Sequence, residues 1–215
     1  MRLKFLPSFV KRRGRITKKQ EQSLRSLAHF SIFTIDDIQL ELQNFNECCL
    51  EIGFGNAEHL VQQAINFPNT LFIGSEVYMS GIGMLIAKIK ENNIKNIKIY
   101  SDDIRLLLDQ EATKIFDSVQ IICPDPWPKD RHHKRRLINK NFLFLIHGFI
   151  KDKGNLYIST DWENYAKNIQ ELLESVNLFC ESKKVYLTKN KLTKFEKRGE
   201  NEGREIYVFN FEKSL

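Results

Sequence analysis

The sequence predicts an α/β domain: a doubly wound, mostly parallel seven-stranded sheet with helices on both faces and an antiparallel hairpin at its C-terminal end. Three observations predict it. From about residue 47, near-continuous apolar runs alternate with helical patterns, as they do when parallel strands are buried on both faces. The first of these runs ends in a glycine turn, Gly53-Phe54-Gly55. Two more apolar segments follow the last helical pattern with no helix read between them, which suits an antiparallel pair closing the sheet. A chain of 215 residues holds one such domain with a substantial core and a short appended arm.

Taken in order, residues 1–25 read as a basic arm, because Gly14 and the cluster Lys11-Arg12-Arg13 interrupt any core pattern. Residues 26–215 read as the domain. Strands are expected at 48–52, 70–75, 97–101, 118–123 and 155–159, each a short run rich in apolar residues. Helices are expected at 57–66, 79–92, 137–150 and 162–176, with a short one near 104–109. The last two strands fall near 183–188 and 205–211. Without repeats or low-complexity tracts, one domain accounts for this part of the chain. No apolar run approaches a bilayer span, and basic Met1-Arg2-Leu3-Lys4 leads into no long apolar stretch. A soluble, cytoplasmic protein without a membrane partner is expected. The four cysteines lack the spacing of a disulfide framework or a metal site and read as small buried hydrophobes. The sequence favours neither a monomer nor a homodimer.

The net charge of +6 is unevenly spread. Residues 1–25 carry nine Lys/Arg against Glu21, residues 127–136 carry five against Asp130, and residues 183–198 carry seven against Glu196. The remaining scaffold is acidic. Each basic segment alone reads as a solvated loop or terminus. Three of them on an acidic body point to a polyanion, because neutralising phosphates releases counterions.

In such a sheet, ligands bind outside the carboxyl ends of the strands. Here five successive strands end in a carboxylate: Glu51 before the glycine turn, Glu76, Asp102-Asp103, Asp125 and Asp161. Asp is common in turns, so one or two would carry no message. The fourth strand runs into Pro124-Asp125-Pro126-Trp127-Pro128-Lys129 and then Asp130-Arg131-His132-His133-Lys134-Arg135-Arg136. A stiff loop bearing a carboxylate and an indole thus precedes a dense cationic segment.

Gly53-Phe54-Gly55 allows a tight turn and close approach of backbone to a ligand. The third glycine of a dinucleotide fingerprint is Glu58 here, and with Glu51 it would face phosphates badly. A cofactor without phosphate and with a positive centre fits better, and S-adenosyl-L-methionine has both properties. Glu76 stands where an acidic side chain accepts ribose hydroxyls. Asp103 or Asp102 can accept from an adenine amino group, or cap the helix that begins at Ile104.

Several segments resemble the tRNA (guanine-N7)-methyltransferases. Pro124–Lys129 with Arg131-His132-His133-Lys134-Arg135-Arg136 is similar to their PDPWPK-x-RHxKRR signature. Ser8-Phe9-Val10-Lys11-Arg12-Arg13-Gly14-Arg15-Ile16-Thr17 resembles their basic arm, Leu50–Gly55 their cofactor motif, and Gly74-Ser75-Glu76-Val77 their second-strand motif. Thr193-Lys194-Phe195-Glu196-Lys197-Arg198-Gly199 resembles their TxFExRG motif. The chain departs at Ala57, where the family usually has Gly, and at Ile104, where Ala is common. The resemblance implies a Rossmann-like class I methyltransferase fold. It implies S-adenosyl-L-methionine held by Glu51, Glu76, Asp103 and Asp125, with Gly53 and Gly55 in the turn. It implies substrate contacts from Lys129, Asp161, Thr193, Lys194, Phe195 and Glu196, and methyl transfer to N7 of a guanine in the variable loop of tRNA.

The residues suit that chemistry. Guanine N7 carries a free lone pair, so no general base is required and orientation is the main task. Asp125 is then an electrostatic and positioning group for the positive charge that reaches the purine. Trp127 either packs on the base or locks the loop as a core aromatic. Asp161 and Glu196 can accept from guanine N1–H and N2–H2, although Asp161 can also simply cap the helix at Trp162. Arg131, His132, His133, Lys134, Arg135 and Arg136 are expected on the RNA surface, where phosphate contacts set register. The target guanine is expected to be turned out of its stack. Two other readings compete: an RNA-binding module on a degenerate methyltransferase fold, and an amino-group methyltransferase acting on another nucleic acid or a protein.

Overall fold

The computed structural model describes residues 5–10, 16–183 and 193–214. Helices α1 (Lys18–Leu24), α2 (Leu27–Phe30) and α3 (Ile35–Leu42) lead into strand β1 (Glu47–Ile52). Then follow α4 (Glu58–Asn66), β2 (Thr70–Ser75), α5 (Met79–Glu91), β3 (Ile97–Tyr100), α6 (Ile104–Leu107) and β4 (Phe116–Ile122). A 3-10 turn at Asp130–Arg135 precedes α7 (Lys140–His147), β5 (Ile150–Thr160), α8 (Glu163–Val176), β6 (Phe179–Glu181), α9 (Lys194–Asn201) and β7 (Tyr207–Lys213).

The strands form one sheet in the order β3-β2-β1-β4-β5-β7-β6. β1 to β5 pair in parallel, and β7 runs antiparallel to both β5 and β6. Successive residues of a strand face opposite layers. Cys49 and Phe72 therefore pack with Leu60, Ile82, Leu85 and Ile86 of α4 and α5. Leu50 and Ile73 pack with Ile38, Phe142, Tyr165 and Ile169 of α3, α7 and α8 on the other face. The strand order reverses between β1 and β4, so the crevice at their carboxyl ends is the expected ligand site.

The expected parallel strands and the helices between them are present, with α7 trimmed to its capped core, where Asn139 accepts from the Phe142 N–H at 3.1 Å. Helices α2 and α3 stand before β1 where none was expected, and three further features differ. Lys18–Leu24, within the stretch read as arm, is a helix capped by Thr17 and docked on α5, where Gln20 Nε2 donates to the Ser80 carbonyl at 3.1 Å. β6 follows α8 directly, whereas all but Lys183 of the expected strand 183–188 lies outside the described residues. A helix, α9, stands between β6 and β7, so the two closing strands are not a simple hairpin.

Candidate active site and cationic surface

The carboxyl ends of β1 to β5 open into a cleft of about 420 Å³. Gly53, Gly55, Glu76, Asp102, Asp103, Asp125 and Asp161 all line it. Gly55 sits at φ +54, and a Cβ there would stand 2.8 Å from the Phe195 ring, so the glycine lets α9 close on the turn. Ala57 opens α4 at φ 62 with no side-chain cap, a left-handed conformation that strains a residue with a Cβ by roughly 1–2 kcal/mol. This is the position at which the chain departs from the glycine usual in the family it resembles.

The carboxylates of the rim are not equivalent. Glu51 is 3% exposed and does not line the cleft; its Oε2 lies 2.8 Å from His59 Nδ1. Glu76 is 6% exposed. It accepts from the Gly55 N–H at 2.9 Å, the Val77 N–H at 2.7 Å and the Tyr78 N–H at 3.1 Å. Burial raises its carboxyl above the ordinary value despite those three donors, and Asp125 adds to the rise. Asp103 caps α6 through the Arg105 N–H and also binds the Arg105 guanidinium at 2.9 and 2.5 Å. The capping alternative therefore describes Asp103, while Asp102 stands exposed beside it in the cleft.

Asp125 lies exposed on a loop held by two non-glycine residues at positive φ, Cys123 (φ 48) and Trp127 (φ 47). Arg136 fixes that loop from below. It is 4% exposed, donates to the Pro126 carbonyl at 2.9 Å and to Asn164 Oδ1 at 2.7 Å, and lies 4.6 Å over the Tyr165 ring. Arg136 is thus an internal clamp and leaves the set expected on an RNA surface. Arg131, Lys134 and Lys129 are exposed, whereas His132, His133 and Arg135 are half-buried. His132 meets Trp127 edge-on and Arg135 lies 5.1 Å from the Trp127 ring centroid. Desolvation, then the neighbouring cations Arg131, Arg135, Lys129 and Lys134, lower His132 below the ordinary histidine value.

Trp127 follows neither sequence alternative alone. Its indole N–H donates to the Ser8 carbonyl at 2.9 Å. Residues 5–10 cross the cleft here, with Ser8 and Phe9 among its lining. Alternate carbonyls of this segment are gripped from three strand ends: Leu6 by Arg105 at 3.1 Å, Ser8 by Trp127, and Val10 by the Tyr78 hydroxyl at 2.8 Å. The cationic residues 11–15 lie outside the described residues.

The opposite wall is α9. Thr193 and Glu196 form a reciprocal capping box at its start. Glu196 is fully buried, and its Oε1 accepts from Ser159 Oγ at 3.0 Å. Thr193 and Glu196 thus build the helix and its dock on β5. Lys194 is exposed outside the cleft, and Phe195 is half-exposed within it. Asp161 lines the cleft and accepts from Arg204 Nε at 2.8 Å. The sequence reading missed Arg204, Arg105 and His59. Gly203 after a helical stretch was the one available signal for Arg204. Among the described residues no cluster fits a metal ion, and no helix is long and apolar enough to cross a membrane.

The half of the cleft around the glycine turn suits a cationic or neutral ligand. Its Gly55 N–H is occupied by Glu76 rather than open to phosphate, and the cations that line the cleft, Arg198 and Arg204, come from α9 and the turn after it. The doubly wound sheet with its closing antiparallel strand holds an acidic crevice at its switch point, and a family model described as a putative methyltransferase matches residues 46–209. The fold is shared with solved rRNA methyltransferases at low identity. The 16S rRNA methyltransferase KamB superposes with a TM-score of 0.62 at 10% identity over 86% of this chain and 96% of its own. A 16S rRNA (adenine(1408)-N(1))-methyltransferase from Catenulisporales acidiphilia, solved with its cosubstrate SAM, gives 0.61 at 12% identity over 86% and 93%. Sequence relatives are more specific. A tRNA (guanine-N(7)-)-methyltransferase of Nitrosococcus oceani is 38% identical, covering 98% of this chain and 92% of its own. One from Francisella philomiragia is 36% identical over 98% and 96%. The chain belongs to the tRNA (guanine-N(7)-)-methyltransferase family.

Proposed function

We propose that this protein transfers the methyl group of S-adenosyl-L-methionine to N7 of a guanine in the variable loop of tRNA, in the cytoplasm. The observation that carries the reading is one cleft that holds an acidic, phosphate-averse half at the glycine turn and an exposed Asp125 beside a cationic turn. When bound, the cofactor supplies a methyl group on a positively charged sulfur, and the N7 lone pair displaces that sulfur without prior proton removal. Glu76 and Asp102 supply negative potential where a cationic cofactor lies. Asp125 stabilises positive charge as it moves onto the purine; such preorganised electrostatics supply about 3–4 kcal/mol per group. Asp161 meets the Watson–Crick edge, so that N7 points at the methyl. Arg131, Lys134 and Lys129 contact phosphates and set the register of the RNA.

The reading is tested by incubating the protein with unmodified tRNA and methyl-labelled cofactor, then digesting to nucleosides. Label in N7-methylguanosine is expected. Label confined to another nucleoside, or absent, would overturn the reading.

A further inference from the structure

The wall of the cleft around Asp161 is built by a residue outside the motifs considered above. Gly203, at φ +74, ends α9. The Gly203 N–H donates to the Glu200 carbonyl at 2.9 Å, and the Arg204 N–H donates to the Gly199 carbonyl at 2.9 Å. This double closure is a Schellman motif, and it pins the Arg204 backbone one turn from Gly199. Gly199 in turn abuts Asp161, since a Cβ there would stand 2.9 Å from Asp161 Oδ2. The Asp161 carboxylate is therefore held between a helix backbone and the Arg204 guanidinium, whose Nε donates to Oδ2 at 2.8 Å. The other end of the guanidinium binds Glu202, which also takes Arg198 Nε at 2.7 Å. Asp161, Arg204, Glu202 and Arg198 thus alternate in charge along one wall of the cleft.

We propose that Arg204 is a positioning residue for base selection: it fixes Asp161 through Oδ2 so that Oδ1 faces the Watson–Crick edge of the target guanine. Among the described residues Oδ1 has no protein donor, and the Asp161 side chain keeps 17% exposure at the cleft. A carboxylate accepts about four hydrogen bonds, and Arg204 takes one of them. An unclamped aspartate rotates about its terminal torsion, and its preference for a base carrying both N1–H and N2–H2 falls with that freedom. Arginine suits the task because its planar fork holds two carboxylates at once, which a lysine point charge does not. The inference rests on the guanine-N7 reading above.

The test compares tRNA whose target guanosine is intact with tRNA carrying inosine there, which lacks the N2 amine. Initial rates, KM and kcat are measured for the wild type, Arg204→Met and Arg204→Lys, with thermal melting of each. Wild type is expected to favour guanosine by roughly tenfold in kcat/KM, the scale of one hydrogen bond to a charged group. Arg204→Met is expected to bring the ratio near unity by losing rate on guanosine only, and Arg204→Lys to restore it in part. A methionine variant that slows both substrates equally, with the ratio kept, would make Arg204 merely structural and overturn the proposal. So would a wild type that methylates both at equal rate. Failure of the wild type to form N7-methylguanosine at all would instead overturn the functional reading on which this stands.

Discussion

The rim of the cleft has two halves that use carboxylates differently. On the β2–β3 half, Glu76 and Asp103 each receive three donors from the protein itself. About four acceptor sites exist per carboxylate, so both are nearly saturated and act first as framework. They tie the glycine turn to β2 and the start of α6 to Arg105. On the β4–β5 half, Asp125 is exposed and Asp161 takes one donor, from Arg204. A strand-end carboxylate is therefore not a site by position alone. The donors already aimed at it decide how much of it remains for a ligand.

The most severe way to break this comparison is on the β4–β5 half. Asp125→Ala is expected to lower methyl transfer by about 100-fold or more while tRNA affinity stays within a few-fold. Single-turnover assays beside filter binding check this, and a parallel collapse of binding would make Asp125 framework too.

On the saturated half, Glu76→Gln is expected to cost about 2–3 kcal/mol in denaturant unfolding, because an amide cannot accept from three N–H groups as a carboxylate does. The pH dependence sharpens the point. Burial raises Glu76 in the folded state above its ordinary 4.5, so the folded protein binds this proton more tightly than the unfolded chain. Its contribution to stability is full at low pH and falls as pH rises from the ordinary value through the raised one. Glu76→Gln is expected to flatten that decline; a variant whose stability tracks wild type across the window would refute the assignment.

The cationic turn divides the same way. Arg136→Met is expected to destabilise by about 2 kcal/mol, since it leaves the Pro126 carbonyl and Asn164 without their donor. The salt slope of tRNA affinity should then change little. Lys134→Ala is expected to lower that slope by about 1 with stability within about 0.5 kcal/mol. Exchanged outcomes would invert the inside–outside division. The smallest effect is expected at Ala57→Gly. Relief of left-handed strain, roughly 1 kcal/mol, is offset by the lost burial of a methyl group, about 0.8 kcal/mol. A melting shift larger than about 1 kcal/mol in either direction would show that one of the two effects dominates.

Much of this architecture was legible beforehand. The parallel strands and the helices between them announced themselves through apolar runs long enough to read. The three longer helices that escaped, α1, α3 and α9, are seven or eight residues long, and each begins at a threonine capping box: Thr17 with Gln20, Thr34 with Asp37, Thr193 with Glu196. The capping signal was present in the sequence, but α1 and α9 lie in cationic segments that mask any apolar stripe. Asp125 and Asp161 were legible as cleft residues for the same reason as the strands: each ends one. The burial of Glu196 and Arg136 was not, because long polar side chains look solvent-facing until a partner across the fold satisfies them.

By itself the sequence determined the sheet, the side of it on which chemistry gathers, and a glycine turn unsuited to phosphate, since these follow from local periodicity and from residue types at strand ends. The tertiary structure alone decided which charged groups remain for ligands. For Glu76, Arg136 and Asp161 that outcome depends on partners brought from distant segments, respectively the Gly55 N–H, Asn164 and Arg204. Hydrogen bonds act over about 3 Å, and only the folded chain sets which groups stand that close.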